Sequence, residues 1–456
     1  MAATLAEIEV EISLLRGENA RLREENAKLR AELEAAIRGG KRQAAPFRKA
    51  EGPRPSPKKP GRKSGRRHGP HAHREIPQRI DERIDVPLPE RCPCCGNREL
   101  EEIGVVLQFQ TEIPRVPIHR QFDIHTGCCR VCGENVQGRH ALQTSDALGA
   151  ASSQLGGDAH AAISVLNKDL GLSHGKVARL FNSFFGIRIA RGTSARSMLR
   201  TAAKAEPAYR EIRREVRNSP VVVPDETGWR VGGRSAWLHV FVAENATCYV
   251  IGDRGGQTAA DLLGLDWSGT LIHDGWSPYD QFKRATHQQC VGHLQRRCQG
   301  LVDTLPRGSR HFALKTLELI DEAFALRRAW RGHRLDADTL AEEGFRLSSE
   351  LEDLAEGRFR NAENRKLAKH ISHHCMKWFW FLMDPRIDAT NYRAEQAIRP
   401  AAVNRKVWGG NRTQRGASAQ AVLLSVSRTL WQAGEETFDW FSRIRRRPYP
   451  LLLEFS

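Results

Sequence analysis

Pro220-Val-Val-Val-Pro-Asp225 and Gly269-Thr-Leu-Ile-His-Asp274 are two short apolar runs, each ending in an aspartate. Between them Ala236–Ala243 alternates apolar with other residues, and Thr247–Gly252 is a third brief run. The pairs Gly232-Gly233 and Glu244-Asn245 suit tight turns, so the first three runs predict a three-stranded meander. Gln257–Leu265 predicts a short helix, Gly269–Asp274 a fourth strand, His287–Val291 a fifth, and Leu294–Leu305 a helix. The order is mixed α/β.

If the first and fourth strands are neighbours, Asp225 and Asp274 emerge side by side. Adjacent carboxylates repel unless a cation lies between them, and hard oxygen ligands favour Mg2+ or Mn2+ over zinc. Two such ions can activate a water or a 3′-hydroxyl and stabilise the leaving oxygen of a phosphodiester. That chemistry usually takes a third acid. Glu395 stands on a predicted helix opened by Asn391, but the residues alone do not prefer it to Glu352 or Glu363.

Upstream, Leu155–Leu170, Gly175–Phe185 and Thr193–Lys204 predict three short helices, with Thr193 as a cap. Arg196 and Arg200 on the third are compatible with a helix-turn-helix reading DNA. Earlier still, Cys92-Pro-Cys-Cys95 and Cys129-Arg-Val-Cys132 are two C-x-x-C knuckles. Each brings two thiolates within reach of one tetrahedral ion, which predicts a single structural Zn2+ held by Cys92, Cys95, Cys129 and Cys132. Cys94 and Cys128 offer other registers, yet only this set repeats the two-residue gap. Alternating apolar residues from Val105 to Phe122 predict strands between the knuckles.

The chain of 456 residues carries a net charge of +17, and thirteen Lys/Arg against one acid between Arg38 and Arg74 account for most of it. Prolines make this stretch semi-rigid and structureless, a polycation suited to nucleic acid or a membrane surface. Lys58, Lys59, Arg62, Lys63, Arg66 and Arg67 are its densest part. Residues 5–36 fit a heptad with Leu15, Leu22 and Leu29 in the seam and Asn19 and Asn26 at a positions, which predicts self-association. No apolar run nears the ~20 residues of a membrane span, and charged heptads replace a signal core. These features point away from membranes and secretion and toward the cytoplasm. At the other end, Arg443, Arg445, Arg446 and Arg447 read as a basic tail adding sequence-independent attraction.

The words Asp225-Glu-Thr-Gly-Trp229-Arg-Val, Asp274-Gly-Trp-Ser-Pro-Tyr279 and Cys290-Val-Gly-His293-Leu-Gln-Arg resemble DDE transposases of the insertion-sequence-66 type. So do Thr390-Asn-Tyr-Arg-Ala-Glu395-Gln-Ala-Ile-Arg399-Pro and Asn404-Arg-Lys406-Val-Trp-Gly-Gly410. Tyr392 stands where the family pattern has a second Asn. The resemblance implies an RNase H-like domain with Asp225, Asp274 and Glu395 as catalytic triad and ligands of two Mg2+ or Mn2+ ions. It also implies a helical insertion before the Glu, and Phe312–Leu354 reads as amphipathic helices. Cys290 and His293 are a family signature read as structural, buttressing the fifth strand. Arg399, Arg405, Lys406, Arg412 and Arg415, beside Trp408 and glycines, suit a loop holding DNA phosphates or splayed bases.

The whole is read as a multi-domain α+β protein. Residues 1–37 are a coiled-coil helix, 38–85 a basic Pro-rich linker, 86–140 a zinc-binding domain and 141–218 a helical DNA-binding region. Residues 219–304 and 386–434 are two parts of the catalytic domain, flanking a helical insertion at 305–385, and 435–456 the tail. The expected function is a bacterial, nucleoid-associated transposase that binds double-stranded transposon ends and target, cleaves, and transfers strands. Small accessory proteins are suggested by the resemblance alone. The alternatives are a nuclease or resolvase on the same fold, and a non-catalytic DNA-binding regulator.

Overall fold

The computed structural model describes residues 15–29, 76–113, 116–149, 154–384, 386–453 and 455. The chain forms two compact units, Met1–Glu112 and Ile113–Ser456. The candidate DNA-binding residues from Lys58 to Arg67 lie outside the described residues, as do the ends of the heptad segment.

In the first unit residues 15–29 are helical (α1), and Leu15, Leu22 and Leu29 stand exposed along it at heptad spacing. The Asn26 side-chain amide donates to Leu22 O (3.0 Å). The knuckle at Cys92 closes through Cys92 N–H to Asn97 O (2.7 Å) and Gly96 N–H to Cys92 O (2.8 Å). The second unit repeats this turn at Cys129, where Cys129 N–H reaches Glu134 O and Gly133 N–H reaches Cys129 O, both at 2.8 Å. Gly96 and Gly133 take nearly the same left-handed φ, +73° and +74°, which a side chain there would strain. The strands expected from Val105 to Phe122 are not formed among the described residues. Val105, Val106, Leu107, Ile113 and Val116 are exposed, so the alternating pattern lacks the partner strand and buried face that stabilise a strand. The next strands along the chain are a short hairpin, β1 (Thr126–Cys128) with β2 (Asn135–Gln137).

Three helices follow: α2 (Gly157–Lys168), α3 (His174–Phe185) and α4 (Arg191–Asn218). The third is far longer than its expected span, and Ala190, not Thr193, occupies the N-cap. Met198, Ala202, Ala205, Tyr209, Ile212 and Val216 bury one continuous face, and that burial carries the helix past Lys204 and through Pro207.

The sheet consists of β3 (Val221–Val231), β4 (Arg234–Val242), β5 (Thr247–Gly252), β6 (Thr270–His273) and β7 (Thr286–Gln289). The helix α5 (Gln257–Leu263) lies between β5 and β6 in sequence. Spatial order is β5-β4-β3-β6-β7; the first three are antiparallel, while β6 runs parallel to β3 and β7 parallel to β6. Strand alternation sends Val222, Phe241 and Leu271 to one face, where Ile163, Ile212, Val426 and Trp440 cover them. Val223, Val240 and Ile272 point to the other face. There they meet α6 (Val291–Thr304), α7 (His311–Arg331), α8 (Ala337–Ala355), α9 (Ala362–His373), α10 (Trp380–Met383) and α11 (Tyr392–Trp408). Helices α7 to α10 occupy most of the span expected as an insertion and are clamped from inside by buried Arg327, which donates to Phe381 O (3.0 Å) and Ile387 O (3.2 Å).

The chain closes with α12 (Gln414–Gln432) and α13 (Thr437–Arg446). The expected basic tail is thereby corrected. Arg443, Arg445 and Arg446 belong to the last turn of α13, with Arg445 buried against His160 (3.3 Å) and Arg446 paired with Asp158 (2.6 Å). An amphipathic helix with Trp440, Phe441 and Ile444 inside draws Arg445 and Arg446 into the fold, while Arg443 and Arg447 stay exposed.

Candidate functional site

The parallel pairing of β3 with β6 matches Val221 to Thr270 and Val222 to Leu271. Three residues beyond the second pair, both strands arrive at an aspartate, Asp225 and Asp274. Alternation puts Asp225 on the face of Val223 and Asp274 on the face of Ile272. That is the face covered by α6 and α11.

Glu395 lies in the first turn of α11, where the helix dipole favours a carboxylate. Its Oε1 accepts from Arg296 Nη2 (3.0 Å) and lies 3.6 Å from His293 Nε2, both on α6. The two helix starts are tied together: Cys290 is the N-cap of α6, its Sγ accepts from Asn391 N–H (3.5 Å), and Val291 N–H donates to Ala389 O (2.9 Å). Cys290 N–H also donates to His273 O (2.7 Å) at the end of β6. The Cys290 and His293 signature therefore joins β6, α6 and α11, and His293 additionally faces Glu395.

Burial, joined by the negative fields of Asp274 and Glu395, pushes the Asp225 carboxyl up to about 7, although Glu226 N–H donates to it (2.9 Å). Asp274 accepts from Trp276 N–H (3.1 Å). Gly275 between them has φ +88°, and a Cβ there would meet Gln289 Oε1 at 2.9 Å and His374 Nε2 at 3.1 Å. Only glycine lets the loop turn so tightly after Asp274. Among the described residues no Lys, Arg or His forms an ion pair with Asp225 or Asp274. Nor do any three His, Cys, Asp or Glu side chains gather closely enough there to cage a cation.

Sequence reasoning passed over Glu226, Tyr279 and Arg296. Glu226 points to the opposite face from Asp225, and buried Tyr279 donates to it (3.2 Å). Burial, then the fields of Asp274 and Asp225, push Glu226 up to about 8. Glu226 and Tyr279 stand inside the words Asp-Glu-Thr and Ser-Pro-Tyr, but only the fold shows that they meet.

The basic candidates separate. Arg405 turns inward, its Nη1 3.3 Å from Thr227 Oγ1 on β3. Arg399, Lys406, Arg412 and Arg415 are exposed, as are Arg196 and Arg200 on α4. In the cysteine knuckles, backbone N–H groups of Cys95 and Cys132 draw the thiols of Cys92 and Cys129 below their ordinary value.

The raised carboxyls make stability depend on pH. Folded Asp225 and Glu226 keep protons that an unfolded chain releases near pH 4, so their contribution falls as pH rises toward about 8. Buried His160, His273 and His374 titrate below their ordinary value and act in the opposite sense, so the informative quantity is a difference. In chelator-treated protein, Glu226→Gln is expected to gain in thermal unfolding midpoint over the wild type as pH goes from 5 to 8. A gap that does not widen contradicts the reading.

The Transposase IS66 family matches the chain over residues 153–419. A similar protein is the uncharacterized protein y4hP of Sinorhizobium fredii, 24% identical over 412 residues, which cover 80% of this chain and 72% of that one. The matched segment contains the whole sheet, the insertion and α11, and so this chain belongs to the IS66 family of transposases.

Proposed function

We propose that the protein cleaves DNA and joins the freed strand to a target at a site made by Asp225, Asp274 and Glu395. One observation carries this reading: two aspartates at matched positions on adjacent parallel strands, on the face from which α11 presents a glutamate. The sheet order, third-second-first-fourth-fifth with only the second strand antiparallel to both neighbours, supports an RNase H-like catalytic domain.

The donors are all carboxylate oxygens, and no basic side chain neutralises the aspartates among the described residues, which fits Mg2+ or Mn2+. Asp225, Asp274 and Glu395 would hold the ions once drawn closer than they stand here, and the bound ions would supply the charge that activates an attacking hydroxyl and steadies the leaving oxygen. Arg296 and His293 orient Glu395 through its Oε1. Arg296 must give way, at least in part, for that oxygen to serve as a ligand. Arg399, Lys406, Arg412 and Arg415, with Arg196 and Arg200, supply cationic surface for phosphates.

With Mg2+, a pre-cut transposon end and a target plasmid, the wild type is expected to give joined products and Asp274→Asn only background. Cleavage at the wild-type rate by Asp274→Asn removes the triad reading, while cutting without joining leaves a nuclease. Independently of activity, Mn2+ is expected to raise the unfolding midpoint of the wild type and not that of Asp225→Asn/Asp274→Asn.

The two C-x-x-C spacings, each closed by the same turn, support structural Zn2+ bound by the thiols of Cys92 and Cys95 and of Cys129 and Cys132. Elemental analysis of the purified full chain is expected to find about one zinc per chain. Its absence removes the claim.

The exposed leucines of α1 support pairing with a second copy. Light scattering is expected to give at least a dimer, reduced by Leu22→Asp. A monomeric wild type refutes it.

A further inference from the structure

β3 outruns its partner β6. Pairing with β6 is confined to Val221 and Val222, yet β3 continues to Val231, paired with β4 alone. A two-stranded ribbon is weak by itself. Here a third segment secures it: Val231 bridges Asn411 in parallel, Gly232 N–H donates to Asn411 O (2.9 Å), and Asn411 N–H donates to Arg230 O (2.9 Å). Trp229 Nε1 donates to Asn411 Oδ1 (2.7 Å), and the Trp408 ring meets the Trp229 ring edge-on with centroids 5.9 Å apart. Glycine is required for this approach, since a Cβ on Gly410 would sit 2.5 Å from Arg230 O.

The ribbon tip and the strap together collect Arg230, Arg234, Arg412 and Arg415, all exposed. Arg230 holds the turn through Gly233 O (3.2 Å), while Arg234, Arg412 and Arg415 form no ion pair with an acid among the described residues. Arg234 lies opposite Val231, on the face that carries Asp225. From Asp225 to Val231 is six residues, roughly 20 Å of strand at ~3.3 Å per residue. Successive phosphates along one strand of duplex DNA are about 3.4 Å apart on the axis, so the tip lies about six nucleotides from the acids.

We propose that the tip of the β3–β4 ribbon, strapped by Gly410–Arg412, is a rigid clamp for the DNA backbone about half a helical turn from the scissile phosphate. The inference rests on the DNA-processing reading and adds a partner surface to it. A solvated basic loop has no need of a buried tryptophan bond and a backbone bridge. A fixed set of backbone positions from which arginines reach out does, because placing their stems in advance lowers the entropy lost when phosphates are gripped.

The test is the salt dependence of binding of the full chain to a labelled duplex of arbitrary sequence, followed by anisotropy. Each phosphate contact contributes about 0.9 to the slope of log affinity against log salt. Arg234→Gln/Arg412→Gln is therefore expected to lower the slope by about 2, while Arg328→Gln/Arg331→Gln on the insertion leaves it unchanged. Both pairs are exposed, so neither variant endangers the fold. A steep slope in the wild type that the tip variant fully retains overturns the clamp and leaves the DNA reading standing. A wild type with no salt-dependent DNA binding overturns both.

Discussion

Asp225 and Asp274 leave neighbouring parallel strands at matched positions, and the field of Asp274 adds to burial in resisting ionisation of Asp225. That repulsion is the constraint around which the sheet and its covering helices are arranged. An ordinary protein would relieve it with a lysine or arginine, and among the described residues none is paired with either aspartate. The sheet is thus committed to a costly arrangement, and its apolar faces must supply the stability that the acids remove. Val222 and Val223, Leu271 and Ile272 do this directly before the acids, anchoring both strands in the two cores.

Holding Glu395 near the aspartates is a separate problem, since it arrives from a helix far along the chain. Tyr249 on β5 donates to Ala397 O (2.6 Å), two residues beyond Glu395 on α11, and itself accepts at its carbonyl from Tyr209 on α4 (2.9 Å). Ala394, Ala397, Ile398 and Ala401 bury the inner side of α11 against the sheet. Small side chains let the helix lie close to the strands. Helices α7 to α10 pack on the same face, so Glu395 is positioned by a core built partly from residues that precede it.

The placement of Asp225 and Asp274 at neighbouring strand ends was legible in the sequence because β-branched runs ending in Asp carry their own periodic signal, and a parallel pair places both ends together. The position of Glu395 beside them was not, since a glutamate in a helix's first turn looks like any other charged residue; only the surrounding words of a known family point to it. The segment from Val105 to Phe122 misled for the converse reason. Alternation is a local pattern, whereas a strand needs a partner, and the side chains there are exposed. Arg445 shows the same limit at the other end, where four arginines in five positions hide a helix face built on Trp440 and Ile444. Glu226 and Tyr279 escaped because their meeting depends on a turn after Asp274 that folds back beneath β3.

β3 joins these parts mechanically. Its inner end lies in the cores, Asp225 follows, and the same face then carries Thr227 against Arg405 and Trp229 against Asn411 and Trp408. Arg405, Trp408 and Asn411 all follow Glu395 in the chain, at the far end of α11 and just beyond it. Strand and helix therefore touch at both ends, at the acids and again near the ribbon tip. A shift of α11 along its axis would move Glu395 and the strapped loop together. Lys168, buried on α2 with its ammonium 5.4 Å from the centre of the Trp408 ring, extends the connection to the helical region that precedes the sheet. Packed rings and backbone bonds thus connect the ribbon tip, through α11, to the helix start that carries Glu395.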